Sequence, residues 1–222
     1  MRLRSNLVSI VLARLIWRWS FWLGYCLLGF CAAQGSLAQT EVAPQPRAAD
    51  AQIDAFHTSL MAVARSKLGF DERVDLLQQE FDRVFDLQRI ARISAGSSWR
   101  DLSDDRRTEY ISLLRQVLLG TYVARFDADR GQKLEVLETL ELKPGRVVVR
   151  AKITRPSGTT VSLDYYLRAG KVFNVEADGV SDLSLRRAEY SRTIAADGVS
   201  GLLANLQSKI TSYRSSFRSA HQ

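Results

Sequence analysis

The spacing of apolar residues changes once along this chain, at Gly131. Before that glycine they recur at the spacing of a helix, and from Lys133 they alternate, as in strands with one buried face. Four alternating runs follow, KLEVLETLEL, RVVVRAKIT, TVSLDYYLR and KVFNVEA, joined by KPG, RPSG and AG. Joins of this length and composition are typical of hairpins. Because hairpins connect antiparallel neighbours, the pattern predicts an antiparallel meander of four strands.

The alternation also predicts which side of the sheet is buried. One face carries apolar side chains from three strands: Val147, Val149, Ala151, Ile153, Val161, Leu163, Tyr165, Leu167, Phe173, Val175 and Ala177. The other face is mixed, with Arg150, Lys152, Ser162 and Asp164, and is expected to meet water.

Helical segments are predicted on both sides of the meander. Four precede it, and the last of these has Ser103 as its N-cap with Asp104 and Asp105 in its first turn. Two follow it and meet at Gly198, which suits a helix C-terminus. The predicted fold is α+β, a four-stranded antiparallel curved sheet wrapped by about six helices, a cone of the nuclear-transport-factor or cystatin type. Its apolar interior is either a cavity or a filled core.

The N-terminus has the features of an export signal. Residues 1–38 contain four arginines and no acid, then the apolar run FWLGYCLLGFCAA, then the small residues of SLA. This order predicts a signal peptide cleaved before Gln39 and a protein located in the periplasm. An uncleaved membrane anchor is the alternative, although Arg14 and Arg18 interrupt the apolar run. The proline-containing residues 39–50 are predicted to be an exposed leader.

Composition excludes several functions. Both cysteines, Cys26 and Cys31, lie in the predicted signal, so the mature chain has no disulfide, no thiolate nucleophile and no cysteine-bound metal. Of the 31 basic residues, four lie in residues 1–38, which leaves 27 against 24 acidic residues and a net charge of +3. That charge gives no case for a nucleic acid partner.

The search for catalytic groups finds little. The two histidines are His57, beside an apolar helix stripe, and His221, next to the C-terminus, and no metal-ligand cluster or catalytic motif occurs. Asp164 has tyrosine neighbours, but the alternation places it on the outer face of the sheet. We therefore predict a protein that is not an enzyme and needs no cofactor. The alternatives are a small cone-shaped isomerase or hydrolase and, from the basic C-terminal helix, an interaction module of the cell envelope.

The sequence FDLQRIARISAGSSWRDLSDDRRTEYISLLRQVLLGTYVARF (85–126) resembles the MlaC, or toluene-tolerance, family of periplasmic lipid-binding proteins. In that family a Phe-Asp start, an Ala-Arg-x-x-x-Gly segment and a Trp-Arg pair precede a long helix that ends near a tyrosine. The matching positions are Phe85, Asp86, Ala91, Arg92, Gly96, Trp99, Arg100 and Tyr122. GQKLEVL and GKVFNVEADGVS also resemble strand motifs of the family, so the similarity covers nearly all of the mature chain.

The resemblance implies that residues 51–222 form a single lipid-binding domain without catalytic residues or metal. Such a domain carries a membrane lipid between an inner-membrane transporter and an outer-membrane lipid complex, and is expected to be a monomer. The apolar sheet face and the facing helices supply the expected lipid contacts: Phe56, Leu60, Trp99, Leu114, Leu118, Tyr122, Val149, Ile153, Leu163, Tyr165, Phe173, Val175 and Tyr190.

The chain departs from the common family pattern after GVS. The segment up to Tyr190 is longer by about four residues, which is about one helical turn. This form resembles the hopanoid-biosynthesis-associated branch of the family (HpnM-like). That resemblance implies a rigid polycyclic hopanoid as the ligand, instead of or besides a phospholipid.

Overall fold

A computed structural model describes residues 46–126 and 131–221. The predicted signal peptide (1–38) and the first part of the predicted leader (39–45) lie outside these residues. Within the described ranges, no helix combines the length and the hydropathy that crossing a membrane requires.

The described chain contains five α-helices and one short 3-10 helix, close to the six helices predicted. They are α1 (Pro46–Arg65), α2 (Phe70–Val84), α3 (Leu87–Ala95), the 3-10 helix (Gly96–Asp101), α4 (Asp104–Arg125) and α5 (Asp182–Ala220). The predicted N-cap of α4 is confirmed, because the side chain of Ser103 accepts a hydrogen bond from the backbone N–H of Arg106.

The first helix begins earlier than the sequence suggested. The leader was predicted to extend to residue 50, but α1 begins at Pro46, and proline suits the first position of a helix. Ala49 is already packed in the core at 2% exposure. The ordered domain therefore includes the last residues of the predicted leader.

Gly198 bends the C-terminal helix. The sequence predicted two helices that meet here, and the structure has one helical segment in which Gly198 has φ 68° and ψ −175°. A positive φ is accessible to glycine without steric cost, so the chain changes direction at this residue. The predicted boundary between two helices is thus a kink within one helical segment, at the predicted residue.

The sheet has five antiparallel strands in sequence order, not the four predicted. They are β1 (Lys133–Lys143), β2 (Arg146–Thr154), β3 (Thr160–Arg168), β4 (Lys171–Ala177) and β5 (Val180–Ser181). The added strand arises because Asp178 and Gly179 both have positive φ and form a two-residue hairpin turn. The sequence predicted that the chain leaves the sheet at DGVS. The structure shows that the chain first reverses there and adds β5 at the sheet edge, before α5 begins.

The strand register confirms the two predicted faces. Val149 on β2 lies opposite Tyr165 on β3, which lies opposite Val175 on β4, and all three belong to the apolar face. On the outer face Arg150 bonds Glu138 at 2.8 Å, and Lys152 lies 3.3 Å from Glu135. Cross-strand ion pairs of this kind suit a face in contact with water.

A register irregularity adds one residue to β4 relative to β3. Tyr166 pairs with Asn174 and Leu167 with Val172, so Phe173 is an extra residue between the two pairs. Bulges of this kind bend a strand and change the direction of its side chains. The backbone N–H of Asp86, at the start of α3, also bonds the carbonyl of Val172 at 2.8 Å, which ties the helical layer to this bend.

Candidate functional site

A pocket lies between the apolar face of the sheet and the helices. Its volume is about 540 Å³, within the range of about 300–1,000 Å³ usual for small-molecule sites. The lining comes from the α2–α3 junction, from α3, α4 and α5, from the chain just before β1, and from β2 to β5. The sequence did not decide whether the apolar interior is a cavity or a filled core, and the structure shows that it contains both.

Exposure of the lining residues shows which end of the pocket is open. Arg125, Arg155, Val180 and Leu185 are exposed to solvent and mark the mouth. Tyr165 is buried and lies deeper, in the middle of β3. The apolar part of the wall consists of Phe85, Ile90, Leu118, Phe126, Ile153, Val161, Leu163, Phe173, Val175, Ala177 and Leu183.

Seven of the thirteen residues predicted to contact lipid line this pocket. They are Leu118, Tyr122, Ile153, Leu163, Tyr165, Phe173 and Val175. The alternation of the strands and the apolar stripe of α4 were sufficient to select them. Their contact with a ligand remains a prediction.

The other six lie in or against the packed core, outside the pocket lining. Phe56, Leu60, Leu114, Val149 and Tyr190 are at most 1% exposed, and Trp99 packs against the same core from its surface. The ring of Phe56 meets that of Tyr122 edge-on, with centroids 5.3 Å apart, and so supports the wall from behind. Sequence periodicity did not separate wall from core, because both consist of the same residue types.

A buried ion pair in the lining was not anticipated. Arg186 is 8% exposed, and its guanidinium donates to Asp182 at 2.6 and 3.2 Å and to the hydroxyl of Tyr190 at 3.5 Å. Burial disfavours the charged guanidinium, but the carboxylate of Asp182 and the hydroxyl of Tyr190 together more than offset this, so the pKa of Arg186 is raised. The available signal was the spacing Asp-x-x-x-Arg on a helix, which brings the two side chains together.

Tyr122 places a hydroxyl in the same part of the pocket. Burial raises its pKa well above the ordinary value, the charge of Asp182 adds to the shift, and Arg186 and Arg125 oppose it. Tyr122 is partly buried and lines the pocket.

The start of α5 is held against the sheet by Asn174, another lining residue. Its side-chain oxygen accepts from the hydroxyl of Ser181 at 2.9 Å and from the backbone N–H of Leu183 at 3.3 Å. Asn174 thereby fixes the helix turn that carries Asp182 and Arg186. The segment after β4 therefore helps to close the pocket.

His57, a candidate considered from the sequence, has a structural partner. Its Nε2 atom lies 2.9 Å from the hydroxyl of Tyr165, and the residue is 3% exposed. Burial lowers its pKa to about 4, against a smaller opposing effect of Asp54. No group of three or more His, Cys, Asp or Glu suited to a metal occurs in 46–126 or 131–221.

Asp164, the acid on which the enzyme alternative depended, faces away from the pocket. It belongs to the outer face of β3, 4.0 Å from Arg150. The acid that does line the pocket, Asp182, is paired with Arg186. The structure thus confirms the predicted outward position of Asp164.

The basic C-terminal residues are partly paired within the domain. Arg214 bonds Asp71 of α2 at 2.7 Å, and Lys209 bonds Glu189 within α5. Two of the three cations behind the interaction-module alternative, which were Lys209, Arg214 and Arg218, therefore have partners in the domain itself.

Taken together, the fold and the site define a class of protein: an α+β domain whose curved sheet and helices enclose one end of an apolar, ligand-sized pocket. The model of the family described as "MlaC protein" matches residues 54–208. The chain therefore belongs to the MlaC family, and this membership supports a lipid-binding protein over an enzyme. Comparison with the curated proteins finds no match.

The solved structures include one with a similar fold. It is a phospholipid-binding protein from Ralstonia solanacearum in complex with a phospholipid, with a TM-score of 0.66 and 19% sequence identity. The similarity covers 74% of this chain and 98% of that chain. At this level of identity the match establishes the shared fold.

Proposed function

We propose that this protein is a periplasmic carrier that binds the apolar part of a membrane lipid, a hopanoid or a phospholipid, in its pocket. The observation that carries the proposal is the pocket of about 540 Å³ with apolar walls and an open mouth, in a chain of the MlaC family. The phospholipid bound by the structural neighbour supports the same assignment.

The pocket has the capacity for one lipid tail. Benzene fills a protein cavity of roughly 150 Å³, so a volume of about 540 Å³ accommodates roughly twenty carbon atoms. That suits one long acyl chain or the greater part of a hopanoid skeleton. A second acyl chain would have to lie at the mouth or require the pocket to widen.

The energy of lipid transfer explains why a carrier is needed. Each buried CH₂ group is worth about 0.8 kcal/mol, so a chain with about 14 buried CH₂ groups resists transfer into water by roughly 11 kcal/mol. A pocket that covers the chain removes most of that barrier. The protein performs no bond-breaking step in this scheme, and its residues act by shape and by exclusion of water.

Export and exchange complete the proposal. Residues 1–38 direct the chain to the periplasm, where it moves lipid between an inner-membrane transporter and an outer-membrane lipid complex. The exposed apolar side chains of Val180 and Leu185 at the mouth suit contact with a surface that donates or accepts lipid.

The test is mass spectrometry of the protein purified from its own periplasm under native conditions. The expected result is a mature chain starting near Gln39 with about one bound lipid, whose identification decides between hopanoid and phospholipid. A lipid-free protein that also takes up no lipid from mixed vesicles would contradict the proposal.

A further inference from the structure

The sheet wall of the pocket ends at a definite residue. Along β3 the lining consists of Val161, Leu163 and Tyr165, and Val161 lies nearest the hairpin that carries Arg155 at the mouth. Val161 is partly exposed, whereas Leu163 is 8% and Tyr165 1% exposed. The next residue on the same face, Leu167, is buried in the core and lies outside the lining. The wall therefore runs inwards from the mouth and stops at Tyr165.

The helical wall ends in the same way. On α4 the lining runs from Arg125, at the mouth, to Leu118, which is buried. Leu114, one turn further from the mouth, is fully buried in the core and lies outside the lining. A helical rise of about 1.5 Å per residue gives roughly 10 Å from Arg125 to Leu118. A strand rise of about 3.3 Å per residue gives roughly 13 Å from Val161 to Tyr165, so the two walls end at similar depths.

A hydrogen bond holds the innermost residue of the sheet wall from behind. The hydroxyl of Tyr165 lies 2.9 Å from Nε2 of His57, on α1. Among the described residues, none from α1 lines the pocket, so the side chain of Tyr165 extends from the pocket to the helix behind it. A side chain fixed by its backbone at one end and by a buried hydrogen bond at the other has little freedom to swing aside.

Packing, and not polarity, closes the inner end of the pocket. Leu114 and Leu167, which follow Leu118 and Tyr165 on the same faces of α4 and β3, are apolar and belong to the core. An apolar ligand would be chemically compatible with that region. It is kept out because protein cores are close-packed and leave no room for additional atoms. The length of the space open to a ligand is therefore set by the side chains at which the lining stops.

We propose that Tyr165 and Leu118 form the floor of the pocket and set the length of the acyl tail that the protein accepts. The inference rests on the proposed lipid-binding function and adds selectivity for tail length to it. A tail that just reaches the floor is covered along its whole length. In a longer tail, each additional CH₂ group stays in water at the mouth, which lowers the affinity relative to a membrane roughly fourfold per group.

The test offers the delipidated mature protein a choice of tails. Phosphatidylcholine vesicles contain small, equal amounts of lysophosphatidylglycerols whose single tails differ in steps of two carbon atoms, together with a neutral hopanoid alcohol. The protein is separated from the vesicles, and its bound lipids are quantified by mass spectrometry. For the wild type, we expect the bound fraction to be greatest at one tail length. It should fall roughly tenfold for each further step of two carbon atoms.

Two variants lower the floor from different sides, so the test does not depend on one of them. Tyr165→Leu and Leu118→Ala should each raise the preferred length by about two carbon atoms, because each removes the volume of a few CH₂ groups. Leu114→Ala is the matched control for α4, since it removes the same atoms from the core behind the floor. Tyr166→Leu makes the β3 substitution on the outer face, where Tyr166 bonds Glu176 at 3.0 Å. Both controls should keep the wild-type preference, and circular dichroism checks the fold of all four variants.

The outcomes separate the floor from the proposed function. Uptake that is independent of tail length in the wild type, or an unchanged preference in folded Leu118→Ala protein, would overturn the floor while leaving lipid binding intact. An equal shift in Leu114→Ala would also overturn it, because looser core packing would then explain the result. Uptake of the hopanoid alone would overturn the assignment to an acyl tail. Uptake of no lipid at all would instead remove the proposed function itself.

Discussion

The Nε2 atom of His57, on α1, lies 2.9 Å from the hydroxyl of Tyr165, on β3, and this bond joins the helical layer to the deep part of the pocket wall. The two residues are 108 positions apart in the chain. The Nδ1 atom of the same histidine is buried without a partner in the described structure. The imidazole is therefore held neutral, and adding a proton to it would place an unpaired charge in the core.

The first prediction is a loss of stability on acidification. Burial lowers the pKa of His57 to about 4 from an ordinary 6.5, so between these pH values the unfolded chain binds a proton that the folded chain does not. The free energy of unfolding should fall by about 3 kcal/mol as the pH drops from 7.5 to 4. His57→Gln removes this titration and can still bond Tyr165.

Urea unfolding at several pH values provides the measurement. The His57→Gln protein should lose less stability on acidification than the wild type. The difference in the free energy of unfolding should approach about 3 kcal/mol. His221→Gln, at an exposed position near the C-terminus, serves as the control and should keep the wild-type pH dependence. An unchanged dependence in His57→Gln would show that the buried imidazole is not its source.

The second prediction concerns the close contact between α4 and α5 at Gly120. A Cβ atom at this position would lie 2.8 Å from Cδ2 of Tyr213 and 3.3 Å from Cζ of Phe70. Gly120→Ala should therefore destabilise the protein by about 1–2 kcal/mol, although alanine is the better helix former. Chemical denaturation measures the change.

Removing the neighbour provides the control for that crowding. In a Tyr213→Ala background, where the nearest atom is gone and only Phe70 remains close, Gly120→Ala should cost much less or be neutral. If the substitution costs the same in both backgrounds, crowding against Tyr213 does not explain why glycine occupies the position. Such a double-mutant cycle isolates the contact between the two residues.

The third prediction tests the cavity by filling it. Ala177, on β4, lines the pocket opposite Leu163. The indole ring of Ala177→Trp is larger than benzene, which needs a cavity of roughly 150 Å³, so it should displace several CH₂ groups of a bound lipid. At about 0.8 kcal/mol for each group, the affinity for lipid should fall at least tenfold.

The control places the same side chain on the other side of the sheet. Ser162 is exposed on the outer face of β3, beside Lys152 of β2, and Ser162→Trp should leave the bound lipid unchanged. Lipid is quantified by extraction, and circular dichroism checks the fold of both variants. Full lipid content in a folded Ala177→Trp protein would show that lipid binds elsewhere.

The sequence predicted those features that depend on neighbouring residues. The change of period located helices and strands, the alternation placed Asp164 outside and Tyr165 inside, and the glycine at 198 located the bend of α5. The turn at Asp178 also had a local signal, because an Asp-Gly pair favours a two-residue hairpin. That signal was interpreted as the end of the sheet, which is why β5 was missed.

The division between pocket and core depends on distances that no local pattern encodes. Leu114 and Leu118 lie one turn apart on α4, yet the first is fully buried in the core and the second lines the pocket. Arg186 and Arg187 are neighbours, but Arg186 is buried beside Asp182 while Arg187 is exposed. Both divisions depend on how the helices pack against one another and against the sheet, which the order of neighbouring residues does not specify.

The last prediction concerns delivery of lipid at the mouth. Val180 and Leu185 are 53% and 59% exposed and line the open end of the pocket. If the mouth meets a lipid surface during exchange, the side chain of Leu185 becomes buried in the complex. Burying a leucine contributes about 1.5–3 kcal/mol, so Leu185→Ser should slow transfer of lipid to acceptor vesicles roughly tenfold.

Leu76, on α2, is a closely matched control, because it is also 59% exposed and does not line the pocket. Protein loaded with a fluorescent lipid is mixed with vesicles, and the transfer rate is followed for the wild type, Leu185→Ser and Leu76→Ser. Only Leu185→Ser should be slow, while the amount of lipid that it holds at equilibrium stays close to that of Leu76→Ser. Equal transfer rates for the two variants would mean that the exposed side chain at the mouth takes no part in delivery, since the two substitutions remove the same apolar surface and differ only in where it lies.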